Sequence, residues 1–280
     1  MSMPERYAVV GYPVAQSLSP RIHALFARQT HQSMTYIALE VPPEQLESSL
    51  REFFDQGGRG LNVTVPHKQA VVSLMSSLSE RAERAGAVNT IARLDDAVLF
   101  GDNTDGIGLV RDLTRNLRLS LRGCRILLLG AGGAARGVIG PLIEQAPSTI
   151  VIANRNAERA SALAQCWTDA AVVRAATFDA LGAGGFDLII NATPASASAP
   201  AIAASALRAG SVCYDMAYGP RESGFARWAR QGGAESIHDG LGMLVEQAAE
   251  SFGLWRGVHP ETAPVLAALR ATSATMSSLP

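Results

Sequence analysis

The stretch that most limits the possible folds of this chain is Arg125-Ile126-Leu127-Leu128-Leu129, followed by Gly130-Ala131-Gly132-Gly133-Ala134-Ala135. An unbroken apolar run of this length reads as a strand buried on both faces, as in a parallel sheet covered by helices. Gly130 allows a tight turn, Gly132 lets another group approach the backbone, and the small Ala135 lets the next helix pack close to the sheet. That helix, expected over Arg136–Gln145, would turn its free N–H groups toward the turn, where they suit a phosphate. The glycines alone would also suit a packing turn that binds nothing. Strand before and helix after favour the dinucleotide reading.

The next strand, Thr149–Ala153, bears on the cofactor. An NAD site places an acidic residue about 20 positions beyond the glycines to hold a ribose hydroxyl. Here the strand ends in Asn154-Arg155-Asn156, with Arg159 one helical turn later. Two guanidinium groups suit a 2′-phosphate, which arginine binds through charge-assisted, paired hydrogen bonds. NADP is favoured over NAD, the alternative being that both arginines are solvated residues of a helix start.

The rest of the chain alternates in the same way. Tyr7–Val10, Met34–Leu39 and Leu61–Val65 read as strands. Helices are expected from Ser19-Pro20 to about Gln29, over Pro43–Asp55, and from Pro66. Thr90–Arg93 and Val98–Phe100 read as a hairpin. Gly106–Arg118 reads as one helix, and two more are expected at about Gly242–Leu254 and Glu261–Ala271. At ~100–200 residues per domain, 280 residues suggest about two domains.

A net charge of −1 argues against a nucleic-acid or anionic-membrane partner. No apolar run is long enough for a membrane span, and the first residues carry no secretory pattern, so a cytoplasmic location is expected. Three separated cysteines and five histidines without i, i+4 pairing predict neither disulfide framework nor bound metal.

Four polar segments fall near strand ends in the first 105 residues: Ser17-Leu18-Ser19-Pro20, Asn62-Val63-Thr64-Val65-Pro66-His67-Lys68, Ala87-Val88-Asn89-Thr90 and Asp102-Asn103-Thr104-Asp105-Gly106. Open α/β sheets bind ligands beyond the carboxyl ends of their strands. Singly, these residues read as a helix cap, a strand face and turns. Beside a dinucleotide turn, they suit a small polyhydroxylated ligand.

These motifs, with Gly86, Gly101, Asp215, Tyr218 and Asp239-Gly240-Leu241-Gly242-Met243-Leu244-Val245-Glu246-Gln247, resemble those of the shikimate dehydrogenases over nearly the whole chain. The resemblance implies an α/β protein of two domains. Residues 1–104 and 241–280 would form an open α/β substrate domain, to which the final helices return. Residues 105–240 would form a Rossmann-type NADP domain. It implies that Ser17 and Ser19 hold the substrate carboxylate, and that Asn62, Thr64, Asn89, Asp105, Tyr218 and Gln247 contact the substrate. It assigns Gly130, Ala131, Gly132, Gly133, Ala134, Ala135, Asn154, Arg155, Arg159, Thr193, Met216 and Gly240 to NADP, and Lys68 and Asp105 to catalysis. The sequence departs from the family at Tyr12, often Asn, at Asn156, often Thr, and at Asn191-Ala192-Thr193-Pro194, where Ser commonly ends the segment.

Oxidising a secondary alcohol requires a hydride acceptor and a base for the proton. Lys68, the only lysine in the chain, would exchange that proton, with Asp105 orienting it. His67 is the competing base, and a purely structural Lys68–Asp105 ion pair is the non-catalytic alternative. The expected reaction is reversible NADPH-dependent reduction of 3-dehydroshikimate, by a monomer or homodimer. A quinate or NAD preference, or a non-catalytic nucleotide sensor, are the other readings.

Overall fold

The computed structural model describes residues 3–95, 98–181, 185–194, 199–219 and 221–277. The chain divides into two compact units, Met1–Gly108 with Leu244–Ala271, and Leu109–Met243 with Thr272–Pro280.

The first unit contains β1 (Glu5–Gly11), α1 (Ser19–Gln29), β2 (Met34–Glu40), α2 (Leu46–Asp55), β3 (Gly58–Val63), β4 (Ser77–Leu78), α3 (Glu80–Ala85), β5 (Thr90–Asp95) and β6 (Val98–Asp102). Its sheet has the order β2-β1-β3-β5-β6-β4. Strand β1 runs parallel to β2 and β3, whereas β5 is antiparallel to β3 and β6. The expected hairpin therefore forms; its tip, residues 96 and 97, lies outside the described residues. Because β5 runs backward, it starts at the edge where β3 and β6 end. Asn62 sits opposite Thr90, and Thr90 opposite Asp102. On one face Ala8, Val10, Leu61, Val63 and Ile91 pack with Leu46, Leu50, Phe53 and Phe54 of α2.

The helix expected from Pro66 does not form. Residues 65–69 make turns, and a 3₁₀ helix follows at Ala70–Leu74. The Lys68 carbonyl accepts from the Val88 N–H (2.7 Å), and the Val72 N–H turns to Gln69 instead. The single helix expected over 106–118 is α4 (Asp105–Arg111) followed by a π turn, Asp112–Asn116. In that turn Leu117 N–H donates to the Asp112 carbonyl, and Asp112 Oδ2 accepts from the Tyr214 hydroxyl (2.6 Å).

The second unit contains β7 (Arg125–Leu129), α5 (Gly133–Ile143), β8 (Thr149–Ala153), α6 (Ala157–Gln165), β9 (Val173–Ala176), β10 (Phe186–Asn191), β11 (Leu207–Asp215), α7 (Gly224–Gln231) and β12 (Ser236–Asp239). All its pairings are parallel, in the order β12-β11-β10-β7-β8-β9. Counted within the unit, this is the 3-2-1-4-5-6 arrangement of dinucleotide-binding sheets. Strand β7 is buried on both faces, as its composition requires. Ile126 and Leu128 pack into one apolar cluster, and Leu127 and Leu129 into the other.

Two helices end the chain, α8 (Leu241–Arg256) and α9 (Thr262–Ser277). From Leu244 on, α8 belongs to the first unit. Gln247, Ser251 and Trp255 recur every four residues and so share a helix face. They meet successive residues at the start of β5. Gln247 reaches Asn89, Ser251 reaches Thr90, and the Trp255 indole donates to the Ile91 carbonyl (3.0 Å). Trp255 fits because Gly60 has no side chain; a Cβ there would stand 2.4 Å from the indole nitrogen. Gly60→Ala is therefore expected to lower stability by ~1–3 kcal/mol through overpacking, measured by urea unfolding with tryptophan emission as the probe.

Candidate active site

The carboxyl edge of the first sheet gathers the polar segments. Lys68, delivered by the turn after β3, pairs its Nζ with Asp105 Oδ2. The side chains are only 13% and 5% exposed, so water does little to weaken the attraction. Asp105 Oδ1 accepts from Asn89 Nδ2 (2.8 Å), and the Asp105 N–H donates to Asn103 Oδ1 (3.2 Å). Asn89 Nδ2 also lies 3.2 Å from Gln247 Oε1 and 2.9 Å from Thr104 Oγ1. Lysine, carboxylate and two side-chain amides thus converge at one place.

The loop carrying Asp105 is braced from behind. Asp102 is nearly buried, and Arg81 grips it with two nitrogens while the Ser79 hydroxyl donates to it (2.5 Å). Arg81 also reaches Glu250 on α8 (3.5 Å). Burial opposes the charge on Asp102, but hydrogen bonds from Arg81 and Ser79 and the nearby guanidinium outweigh it and lower the carboxyl pKa from 3.8. Arg81 does not stand out in the sequence as a functional residue, and Asp102 appears there only as part of a polar segment.

The remaining substrate candidates differ in their engagement. The sequence predicts Ser19 as the cap of α1, but the first helical bond runs from the Ile22 N–H to the Leu18 carbonyl, so Ser19 begins the helix and its hydroxyl caps nothing. The Ser17 hydroxyl accepts from the Ser19 N–H (3.2 Å). Thr64 follows β3, half-buried, with its N–H on the Val10 carbonyl (2.9 Å). Asn62 has both ends of its amide engaged within the protein. Its Oδ1 accepts from the Tyr36 hydroxyl (2.7 Å), and its Nδ2 faces Ser251, Thr90 and the Asn89 carbonyl. His67 is buried, with Nε2 2.7 Å from the Val41 carbonyl.

In the second unit, the turn after β7 has the geometry its glycines suggest. Gly130 adopts φ +112°, and a Cβ there would lie 3.0 Å from the Ala192 carbonyl oxygen. Gly132 opens α5 with no side-chain cap, and a Cβ on it would meet nothing within 4 Å. Ala135 is buried against the sheet. Bare N–H groups and open space beside Gly132 fit a diphosphate.

Arg155 and Arg159 are exposed, and among the described residues neither enters an ion pair. Asn156 caps α6, accepting the Arg159 N–H (3.1 Å), so its side-chain oxygen is committed to the helix. Asn154 Nδ2 donates to the Asn156 carbonyl (3.0 Å). At the ends of β10 and β11, Asn191 Oδ1 accepts from the Thr193 hydroxyl (2.6 Å), and the Met216 N–H donates to the Asn191 carbonyl. Gly240 is required there, since a Cβ would fall 2.2 Å from the Met216 oxygen. Tyr218 is half-buried in this unit. Of the loop beginning at Thr193, residues 195–198 lie outside the described residues.

Three family descriptions match the chain: "Shikimate dehydrogenase substrate binding domain" over residues 9–91, "Shikimate / quinate 5-dehydrogenase" over 112–213, and "Shikimate 5'-dehydrogenase C-terminal domain" over 240–270. The chain is similar to a shikimate dehydrogenase (NADP(+)) of Methylococcus capsulatus, with 52% identity covering 98% of this chain and 99% of the relative. It is also similar to the crystal structure of an Ael1 enzyme from Pseudomonas putida (42% identity, TM-score 0.87, covering 95% and 98%). A third likeness is to a shikimate 5-dehydrogenase of Thermus thermophilus, solved with NADP(H) and shikimate (33% identity, TM-score 0.82, covering 95% and 99%).

The Asp102 brace yields a pH dependence. Because folding lowers its pKa, its stabilisation is complete above the unfolded value of 3.8 and disappears as pH falls through the lower folded value. Asp102→Asn is expected to be less stable than wild type by ~1–3 kcal/mol at pH 7, with the gap narrowing below pH 3.8, measured by urea unfolding across pH.

Proposed function

The chain belongs to the shikimate dehydrogenase family, and on that premise we propose how its residues share the NADPH-dependent reduction of 3-dehydroshikimate to shikimate. The protein is an NADP-dependent oxidoreductase of the shikimate pathway. NADPH, when bound, supplies the hydride.

Lys68 Nζ gives the proton to the carbonyl oxygen as that oxygen gains negative charge, and takes it back in the reverse direction. Asp105 Oδ2 holds the ammonium in place while Asn89 fixes the other carboxylate oxygen. The observation that carries this reading is the largely buried pairing of the sole lysine with Asp105. Ser17 and Ser19 bind the substrate carboxylate; Thr64, Asn89, Asp105 and Gln247 bind its hydroxyls. Asn62 supports them from behind. Tyr218 is assigned to the substrate on the family resemblance.

In the other part of the chain, Gly130–Ala135 receive the diphosphate on backbone N–H groups. Asn154, Arg155 and Arg159 receive the adenosine phosphate, and Thr193, Met216 and Gly240 border the remainder. Residues 1–104 and 241–280 act as the substrate domain and 105–240 as the NADP domain. No helix among the described residues is long and apolar enough to cross a membrane. We place the enzyme in the cytoplasm, as a monomer or homodimer, with a small-molecule substrate and neither nucleic acid nor membrane as partner. The net charge of −1 supports the absence of a polyanionic partner.

Lys68→Ala is expected to lower kcat by ~10²–10⁴. His67→Ala should lose stability but keep kcat per folded molecule within a few-fold. Steady-state NADPH oxidation, with the folded fraction measured in parallel, decides the matter; near-normal turnover of Lys68→Ala overturns the assignment. Arg155→Ala and Arg159→Ala are each expected to raise KM for NADPH ~10-fold or more while leaving NADH kinetics nearly unchanged, since the lost contacts are to the 2′-phosphate alone.

A further inference from the structure

We propose that a buried chain of hydrogen bonds, Tyr36–Asn62–Thr90–Asn89, with Ser251 against its middle, holds the Asp105 carboxylate in the orientation that serves Lys68, so that Tyr36, Asn62, Thr90 and Ser251 are positioning residues. The proposal rests on the Lys68–Asp105 reading above.

The direction of each bond follows from its donors. The Thr104 N–H can only donate, and it donates to Asn89 Oδ1 (2.8 Å). The other end of that amide, Nδ2, therefore faces Asp105 Oδ1 (2.8 Å). Thr90 also gives its hydroxyl hydrogen to Asn89 Oδ1 (2.8 Å). Its oxygen is left to accept from Asn62 Nδ2 (3.2 Å), and Ser251 Oγ lies 2.7 Å away. Asn62 can present Nδ2 there because its Oδ1 takes the Tyr36 hydroxyl hydrogen (2.7 Å).

Ser251 Oγ lies within 3.0 Å of Asn62 Nδ2, 3.2 Å of Thr104 Oγ1 and 3.1 Å of the Gln247 carbonyl one helical turn back. One hydroxyl on α8 thereby ties the helix that carries Gln247 to the strand edge that carries Asn89. The far end of the chain is also fixed. The Tyr36 ring stacks on His23 at 4.1 Å and 8°. Burial pushes the His23 imidazole down to about 3, so the stack stays uncharged near neutral pH.

Thr90, Ser251, Asn89 and Asn62 are buried. Water cannot readily replace a donor or acceptor removed from such a place, and the remaining partners must rearrange or lose a hydrogen bond. Asn89 carries that disturbance to Asp105.

Thr90→Val keeps the shape of the side chain and removes the hydroxyl; Thr90→Ser restores the hydroxyl. We expect kcat to fall about tenfold or more in Thr90→Val, with KM for the substrate within about threefold of wild type, and to return to within about threefold in Thr90→Ser. A second readout is independent of turnover. Because the chain has one lysine, ¹³C-lysine labelling gives a single Cε–Hε correlation. It should move in Thr90→Val and hold its place in Thr90→Ser.

Tyr36→Phe keeps the ring and removes only the far donor, with an expected fall in kcat of about threefold to tenfold; it provides the test if Thr90→Val does not fold. Normal kcat and an unmoved lysine signal in Thr90→Val, or equal losses in the valine and serine variants, overturn the proposal. Retained turnover in Lys68→Ala would overturn the acid/base reading instead, and the lysine signal would still report on the positioning chain.

Discussion

A carboxylate withdrawn from water must be met by charge and hydrogen bonds on every side, and in the first unit Asp105 imposes that demand. The turn after β3 brings the ammonium of Lys68, and the residue before β5 brings the Asn89 amide. The loop after β6 supplies the carboxylate itself, anchored by Asn103 and by the Arg81–Asp102 pair. Antiparallel β5 is essential to this arrangement, because only a reversed strand begins where β3 and β6 finish. The sheet order and the chemistry thus satisfy one electrostatic requirement.

The second unit meets a different demand with almost no side chains. Its purely parallel sheet leaves β7 surrounded by apolar residues, so the polar work moves to the turn where the strand ends. There the absence of Cβ atoms matters in two ways. At Gly130 a side chain would strain the left-handed backbone and crowd the Ala192 carbonyl. At Gly132 it would occupy open space that a ligand can use. The same residue type serves folding at one position and leaves open space two residues later.

Much of this is legible in the chain. Unbroken apolar residues before a glycine turn define a buried parallel strand, and Thr90–Phe100 reads as a hairpin, because both patterns are local. The helix expected at Pro66 fails because its fate depends on a distant backbone donor, Val88, capturing the Lys68 carbonyl. The buried hydroxyls escape sequence reasoning for a related cause. A serine or threonine within an apolar segment carries no sign of whether it is a tolerated passenger or a junction; only the fold brings Thr90, Asn62 and Ser251 together. The one available signal is the four-residue spacing of Gln247, Ser251 and Trp255, which puts two polar groups and an indole on one helix face. Asn156 has a local role as well: its side-chain oxygen closes the start of α6.

The protein carries its other side-chain cations as arginine and reserves its one lysine for the ion pair with Asp105. Side-chain amine chemistry on this molecule therefore has a single target. An activated ester that couples to a side-chain amine removes the positive charge of that ion pair. Coupling through sulfur leaves that pair untouched, and Cys166 in the second unit offers an exposed thiol.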